Sequence, residues 1–230
     1  MIEMGIVNSD PMFLCGESYW GFQHSIWGGS SSKIWASRDI SGGEAYNRIA
    51  TWGNINTWAN SEFGQGRKPW GPIGIPLLPI SLFNGQYVVA RAKYIEDHID
   101  WLLGQANVYV NLWIEFDEPV GTKGYKWAEL LIYLKCHGSL FKPSQFSNTY
   151  LARTRTEGDL KWYMVSHRLQ NDVGQNYIDI HVLLDGFYSR LQSVFGINLQ
   201  HGKIVGITFG VESCRGEISS LHDYFYLYVP

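Results

Sequence analysis

The stretch KWAELLIYL, residues 126–134, decides how this chain is read. Successive side chains of a β-strand point to opposite faces, so the nine residues divide into two sets. Ala128, Leu130, Ile132 and Leu134 form an apolar face that belongs on a core. Trp127, Glu129, Leu131 and Tyr133 form the other, with one carboxylate between two aromatic rings. Such a strand belongs to an antiparallel sheet with one face on a core and one facing outward.

The design recurs on both sides. In NVYVNLWIEF (107–116), Val108, Val110, Leu112, Ile114 and Phe116 share one face; Asn107, Tyr109, Asn111, Trp113 and Glu115 share the other. In GKIVGITFGVES (202–213), Val205, Ile207, Phe209 and Val211 form the apolar face, opposite Gly206, Thr208, Gly210 and Glu212. The small residues beside Glu212 leave space for something bulky to lie over the strand. DYFYLYV (223–229) alternates Phe225, Leu227 and Val229 with three tyrosines.

Other segments read differently. From Asp179 to Phe195, Leu183, Phe187 and Leu191 recur every four residues. This spacing predicts a helix with Asp179 as N-cap and Gly196 as its stop. RKPWGPIGIPLLPI (67–80) is punctuated by Pro and Gly and predicts an extended loop. Residues 16–59, rich in Gly, Ser, Asn and Trp, predict short strands joined by turns. No repeat, charge block or linker divides the chain. Residues 1–230 are therefore read as a single domain, a β-sandwich with one helix.

Composition narrows the function. The 230 residues suffice for a substantial core. A formal net charge of −3 with few charged residues points away from nucleic-acid and membrane-surface partners. Ten Trp are more than a core of this size needs, and surplus Trp and Tyr suit a binding surface. Cys15, Cys136 and Cys214 form no CxxC pair, which speaks against zinc, and at most one disulfide can form. There is no apolar run long enough to span a bilayer and no signal-peptide pattern at the N-terminus. GxSxG, HExxH and phosphate-binding glycine motifs are absent from the sequence. No metal or cofactor is expected.

Two carboxylates amid aromatics and glycines suggest a glycan cleft. Glycoside hydrolysis uses a pair of carboxyl groups flanking the scissile bond, one ionised and one protonated. Apolar surroundings and a neighbouring negative charge keep the second protonated near neutral pH. The competing reading is plain: an acid on the open face of an antiparallel strand is ordinarily just solvated.

Three segments together, KWAELLIYL, FGQGRKPWG and ITFGVESCRG, resemble the jelly-roll cellulases of glycoside hydrolase family 12. The nucleophile strand of that family typically reads Glu-(Ile/Leu/Val)-Met-Ile-Trp-Leu, and its acid/base strand Gly-(Thr/Val)-Glu. The corresponding residues here are Glu129 in AELLIYL and Glu212 in FGVES. KPWG (68–71) matches a loop of many prokaryotic members, and SIWGG (25–29) is similar to the Asn-x-Trp-Gly element. NYIDIHVLLDGFYSRL lies where the family has its one helix. The likeness runs in register over about residues 16–229. It implies an all-β jelly-roll sandwich of two antiparallel sheets with a concave substrate cleft and one α-helix.

The resemblance also implies a retaining endo-β-1,4-glucanase without a cofactor. Glu129 would be the nucleophile and Glu212 the general acid/base, with Trp27, Lys68, Trp70, Asn111 and Tyr133 lining the substrate sites. Retention requires the two carboxyl groups roughly 5–5.5 Å apart. There are departures. Leu131 replaces the family's Met, Tyr133 its Trp, and Ser25 the first Asn of its Trp element. Asn111 stands where many members carry an acid. The expected partner is a polysaccharide, the expected state a monomer, and a polymeric substrate implies an extracellular location. The rival readings are a xyloglucanase or xylanase of the same clan, a non-catalytic carbohydrate-binding sandwich, and a purely structural one. Each of Trp27 and Trp70 has the alternative of being an ordinary buried Trp, and Lys68 of being a solvated loop lysine.

Overall fold

The computed structural model describes residues 2–4, 13–14, 21–27, 33–41, 44–73, 77, 79–99, 105–137, 149–169 and 177–228. The described strands are β1 (Ile2–Met4), β2 (Phe13–Leu14), β3 (Gly21–Trp27), β4 (Lys33–Ser41), β5 (Glu44–Lys68), β6 (Gly71–Pro72) and β7 (Ile80–Ser81). They continue with β8 (Tyr87–Ile99), β9 (Gln105–Val120), β10 (Tyr125–His137), β11 (Leu151–Glu157), β12 (Leu160–Arg168), β13 (Tyr177–Leu183) and β14 (Gly202–Tyr228). One α-helix is described, α1 (Asp185–Phe195).

Two long strands tie the layers together. β5 has 25 residues and β14 has 27, and their pairing jumps register between Cys214–Trp58 and Gly216–Gly53. Such irregularities bend a strand and let it pass from one sheet to another. On one side of the break the order is β1-β4-β5-β14-β8-β13. On the other it is β2-β3-β5-β14-β9-β10-β12-β11. Neighbours are antiparallel except β10 and β12. This is the jelly-roll sandwich that the resemblance implied.

The core lies between the layers, under α1. Val108, Val110, Leu112, Ile114 and Phe116 of β9 face it, with Ala128, Leu130, Ile132 and Leu134 of β10, all at 0–2% exposure. Both alternations were legible in the sequence. Each fully buried aliphatic side chain contributes about 2 kcal/mol of transfer free energy. Phe187, Tyr188 and Leu191 close the core from α1.

Three expectations need correcting. On β14 the apolar face is Ile204, Ile207, Phe209 and Val211. The register shifts between Ile204 and Gly206, so Val205 is buried but lies outside this core cluster. The predicted helix from Asp179 begins only at Asp185. Tyr177–Leu183 is β13, paired with β8 from Tyr87 to Lys93, because Ile178, Ile180 and Val182 alternate with β-branched side chains that suit a strand. Its end is as expected: Gly196 adopts φ 66° and returns its N–H to Gln192 O at 2.9 Å. Finally, the tract read as short strands contains one long one, β5. The loop after it turns back at once, with Gly71–Pro72 pairing to Arg67–Lys68 and Ile73 N donating to Gly66 O at 2.7 Å.

Candidate active site

The concave face of the second sheet is the one turned away from this core. Directly paired residues point the same way, so register lays the face out in rows. One row runs Gly66 (β5), Gly206 (β14), Trp113 (β9), Glu129 (β10), Met164 (β12) and Arg153 (β11). The next is Gly64, Thr208, Asn111, Leu131, Ser166 and Leu151. Then come Glu62, Gly210, Tyr109, Tyr133 and Arg168, and after them Asn60, Glu212, Asn107 and Cys136.

Glu129 and Glu212 therefore share a face, two strands and three rows apart. On a flat sheet their Cα atoms would be separated by roughly 20 Å. The Glu129 charge is nonetheless one of the causes that raise the Glu212 pKa.

Their surroundings differ. Glu129 is buried and accepts twice: Asn111 Nδ2 donates to Oε1 at 2.8 Å and Trp162 Nε1 to Oε2 at 2.7 Å. Charge-assisted bonds to both oxygens fix the carboxylate's orientation. Glu212 accepts from Asn107 Nδ2 at 2.5 Å. Burial pushes its pKa above the usual carboxylate range and the Glu129 charge adds to this, while the Asn107 bond and the Arg155 and Arg153 charges oppose it. Burial, then the Glu212 charge, also hold the Tyr109 and Tyr133 hydroxyls firmly protonated.

The floor is a packed aromatic layer. Ile73, Tyr109, Trp113, Leu131, Tyr133, Cys136, Trp162 and Met164 form a cluster separate from the main core. Burial raises the Cys136 thiol pKa to about 12, so it is no nucleophile. Trp70, 39% exposed, stands edge-on to Trp113 at 5.2 Å and tilted on Trp162 at 5.8 Å. Lys68 Nζ lies 5.3 Å from the Trp70 ring and forms a buried ion pair with Glu62. Tyr109 Oη donates toward Glu62 Oε2 at 3.4 Å and accepts from Asn60 Nδ2.

The glycines have a use other than the one expected. A Cβ on Gly210 would lie 2.3 Å from the Tyr109 ring, so the space above this position is filled by the protein's own tyrosine. Among the described residues six buried polar atoms have no hydrogen-bond partner; Glu62 Oε1 is ion-paired with Lys68, and the other five are Asn107 Oδ1, Asn111 Oδ1, Trp113 Nε1, Ser166 Oγ and Thr208 Oγ1. All five belong to the concave face. Buried polar atoms are paired as a rule, and a face collecting the exceptions is suited to a hydroxyl-rich ligand.

Of the residues singled out in the sequence, Glu129, Glu212, Asn111, Tyr133, Lys68 and Trp70 come together on this face or its bordering loop. Tyr133, 4% exposed, belongs to the floor. Trp27 ends β3 opposite Trp58, and its side chain lies outside the described residues. Trp162, Tyr109, Asn107 and Glu62 were missed. The sequence places Asn107 and Tyr109 on the open face of 107–116 without a role. For the other two a signal existed, since Asn60, Glu62, Gly64, Gly66 and Lys68 repeat the small-and-polar alternation of β14, and Trp162, Met164, Ser166 and Arg168 alternate on β12. Among the described residues no group of three or more His, Cys, Asp or Glu is placed to hold a metal ion. None of the described helices is long and apolar enough to cross a membrane.

No family model matches the chain, and no curated protein matches it in sequence. Solved structures do. A family 12 xyloglucanase from Bacillus licheniformis superposes with TM-score 0.64 at 13% identity, covering 97% of this chain and 98% of that one. An endoglucanase from Rhodothermus marinus gives 0.58 at 14% identity, with 100% and 99% covered. The chain has the fold of the family 12 enzymes. The family 11 xylanase from Neocallimastix patriciarum shares it, with TM-score 0.58 at 10% identity over the whole of both chains. At these identities the likeness is one of fold, and it extends over the full jelly roll.

Proposed function

We propose that this family 12-like chain is a glycoside hydrolase acting by double displacement, an endo-β-1,4-glucanase cutting within cellulose-type or mixed-linkage glucans. The observation that carries the reading is the unequal pair on one face: Glu129 buried and gripped by two N–H donors, Glu212 half-buried on a single Asn107 donor with its pKa raised. Glu129 attacks the anomeric carbon as the glycosidic bond breaks, and Glu212 gives its proton to the departing oxygen. A covalent glycosyl-enzyme results. Glu212, now a carboxylate, takes a proton from water as it attacks the same carbon, and Glu129 leaves with its electron pair.

Trp70 offers an exposed ring to a sugar, with Trp27 its proposed counterpart on β3. Asn111 positions the nucleophile, while Lys68 and Tyr133 border the site. The enzyme would work as a secreted monomer without a cofactor, since polymeric glucan does not enter cells. The second reading is xyloglucanase or xylanase action on the same machinery, supported by structural relatives of both activities.

The test measures reducing ends and viscosity on mixed-linkage β-glucan for wild type and Glu129→Gln. A rapid viscosity drop in wild type, absent from the folded variant, is expected. Equal cleavage by both would remove Glu129 from the mechanism. Glucan, xyloglucan and xylan all bound but uncut would make the chain a binding module.

A further inference from the structure

We propose that Arg153 and Arg155 form a subsite for a carboxylate-bearing glycan, a uronic acid substituent or an oxidised glucose unit, on the rim beside Glu129. The inference rests on the hydrolase reading and names a substrate class for it. Among the described strands β11 is the last of the concave sheet, and both arginines are exposed on its concave side. Arg153 stands in the same row as Glu129, with Met164 of β12 between them. Two strand spacings put the Arg153 and Glu129 backbones roughly 10 Å apart, within reach of a substituent on a glycan lying over the nucleophile. Arg155 pairs with Trp162, the residue that donates to Glu129.

Among the described residues neither guanidinium forms an ion pair. Arg153 Nε contacts Met164 Sδ at 3.3 Å, which orients the stem and leaves the terminal nitrogens uncommitted. Elsewhere near this face cations are paired: Arg67 with Glu115, Lys68 with Glu62, Lys203 with Asp117. Glu157, two residues beyond Arg155 on the same side, forms no ion pair with it. Two arginines with no ion-pair partner among the described residues are a local exception on a chain of net charge −3. Their charge also works against Glu212, favouring the ionised form of a group that must begin as an acid. That cost is offset if the arginines serve the substrate. Their planar forks match a carboxylate in a bidentate arrangement that a neutral sugar hydroxyl cannot provide.

The experiment compares kcat/KM on mixed-linkage β-glucan and on partly C6-oxidised cellulose, for wild type, Arg153→Gln/Arg155→Gln and the double Lys variant. The ratio of acidic to neutral substrate should fall about tenfold in the double Gln variant, with the Lys variant intermediate. Added salt should lower the ratio in wild type and in the double Lys variant, but not in the double Gln variant. An unchanged ratio overturns the subsite, even with hydrolysis intact. If wild type cuts neither polymer, the hydrolase reading fails separately, and electrophoresis through gels containing each polymer decides the subsite. Selective retardation by oxidised cellulose, lost in the double Gln variant, supports it; equal retardation overturns it.

Discussion

Trp162 on β12 donates its indole N–H to Glu129 Oε2 at 2.7 Å, across the parallel pairing of β12 with β10. The same ring packs against Trp113 and Trp70, so the carboxylate's orientation depends on the aromatic floor. Trp162→Phe keeps most of the packing and removes the donor. A hydrogen bond to a charged group is worth about 1.5–3 kcal/mol, so kcat on β-glucan should fall by roughly 10- to 100-fold. The urea midpoint should move little. Unchanged kcat in a folded variant would reduce Trp162 to packing.

Asn111 Nδ2 holds the other oxygen of Glu129 at 2.8 Å. An amide cannot share a proton with the proposed nucleophile, nor repel its charge. Asn111→Asp would put a second carboxyl at that distance, and two carboxylates in contact resist ionising together. The acidic limb of the pH–rate profile should therefore move to higher pH. An unmoved acidic limb would make Asn111 merely structural.

On the proposed mechanism the basic limb belongs to Glu212. Its proton is needed for the first step, so the rate declines as pH rises through its elevated pKa. The Asn107 bond opposes that elevation because it favours the ionised form. Asn107→Leu should raise the pKa further and carry the basic limb of kcat/KM to higher pH. Stability follows the same sign. A carboxyl whose folded pKa is raised contributes stability below its unfolded value, which is lost as pH climbs through the folded one. A basic limb that stays put or moves down would show that another group sets it.

Where side-chain period and core burial coincide, the sequence was enough. The faces of β9 and β10, and the presence of Glu129 and Glu212 on the side away from the core, follow from period-two alternation. What escaped depended on pairing between distant segments. Trp162 reaches Glu129 only because β12 lies parallel beside β10, a neighbour relation that no local pattern encodes. The shift at Val205 is a strand irregularity, invisible to strict alternation. The helix start was misplaced because Leu183, Leu184, Phe187 and Leu191 satisfy a helical period. Pairing with β8 claims the residues as far as Leu183 for a strand instead.

Gly210 is where close packing and chemistry meet. A Cβ there would sit 2.3 Å from one carbon of the Tyr109 ring and 2.4 Å from its hydroxyl oxygen. The ring cannot easily retreat, because Asn60 and Glu62 hold its hydroxyl. Gly210→Ala should therefore cost about 1–3 kcal/mol, as overpacking does, and displace Tyr109 beside Glu212. Gly196→Ala is the control: nothing lies within 4 Å of its would-be Cβ, and only φ 66° opposes the change. That cost is about 1 kcal/mol, at the end of α1 and away from the concave face. Urea unfolding with kcat on β-glucan separates the two. Both variants should lose stability, but only Gly210→Ala should lose kcat beyond its unfolded fraction. If Gly210→Ala keeps full kcat, the Tyr109 ring is not part of the geometry that supports the carboxyl pair.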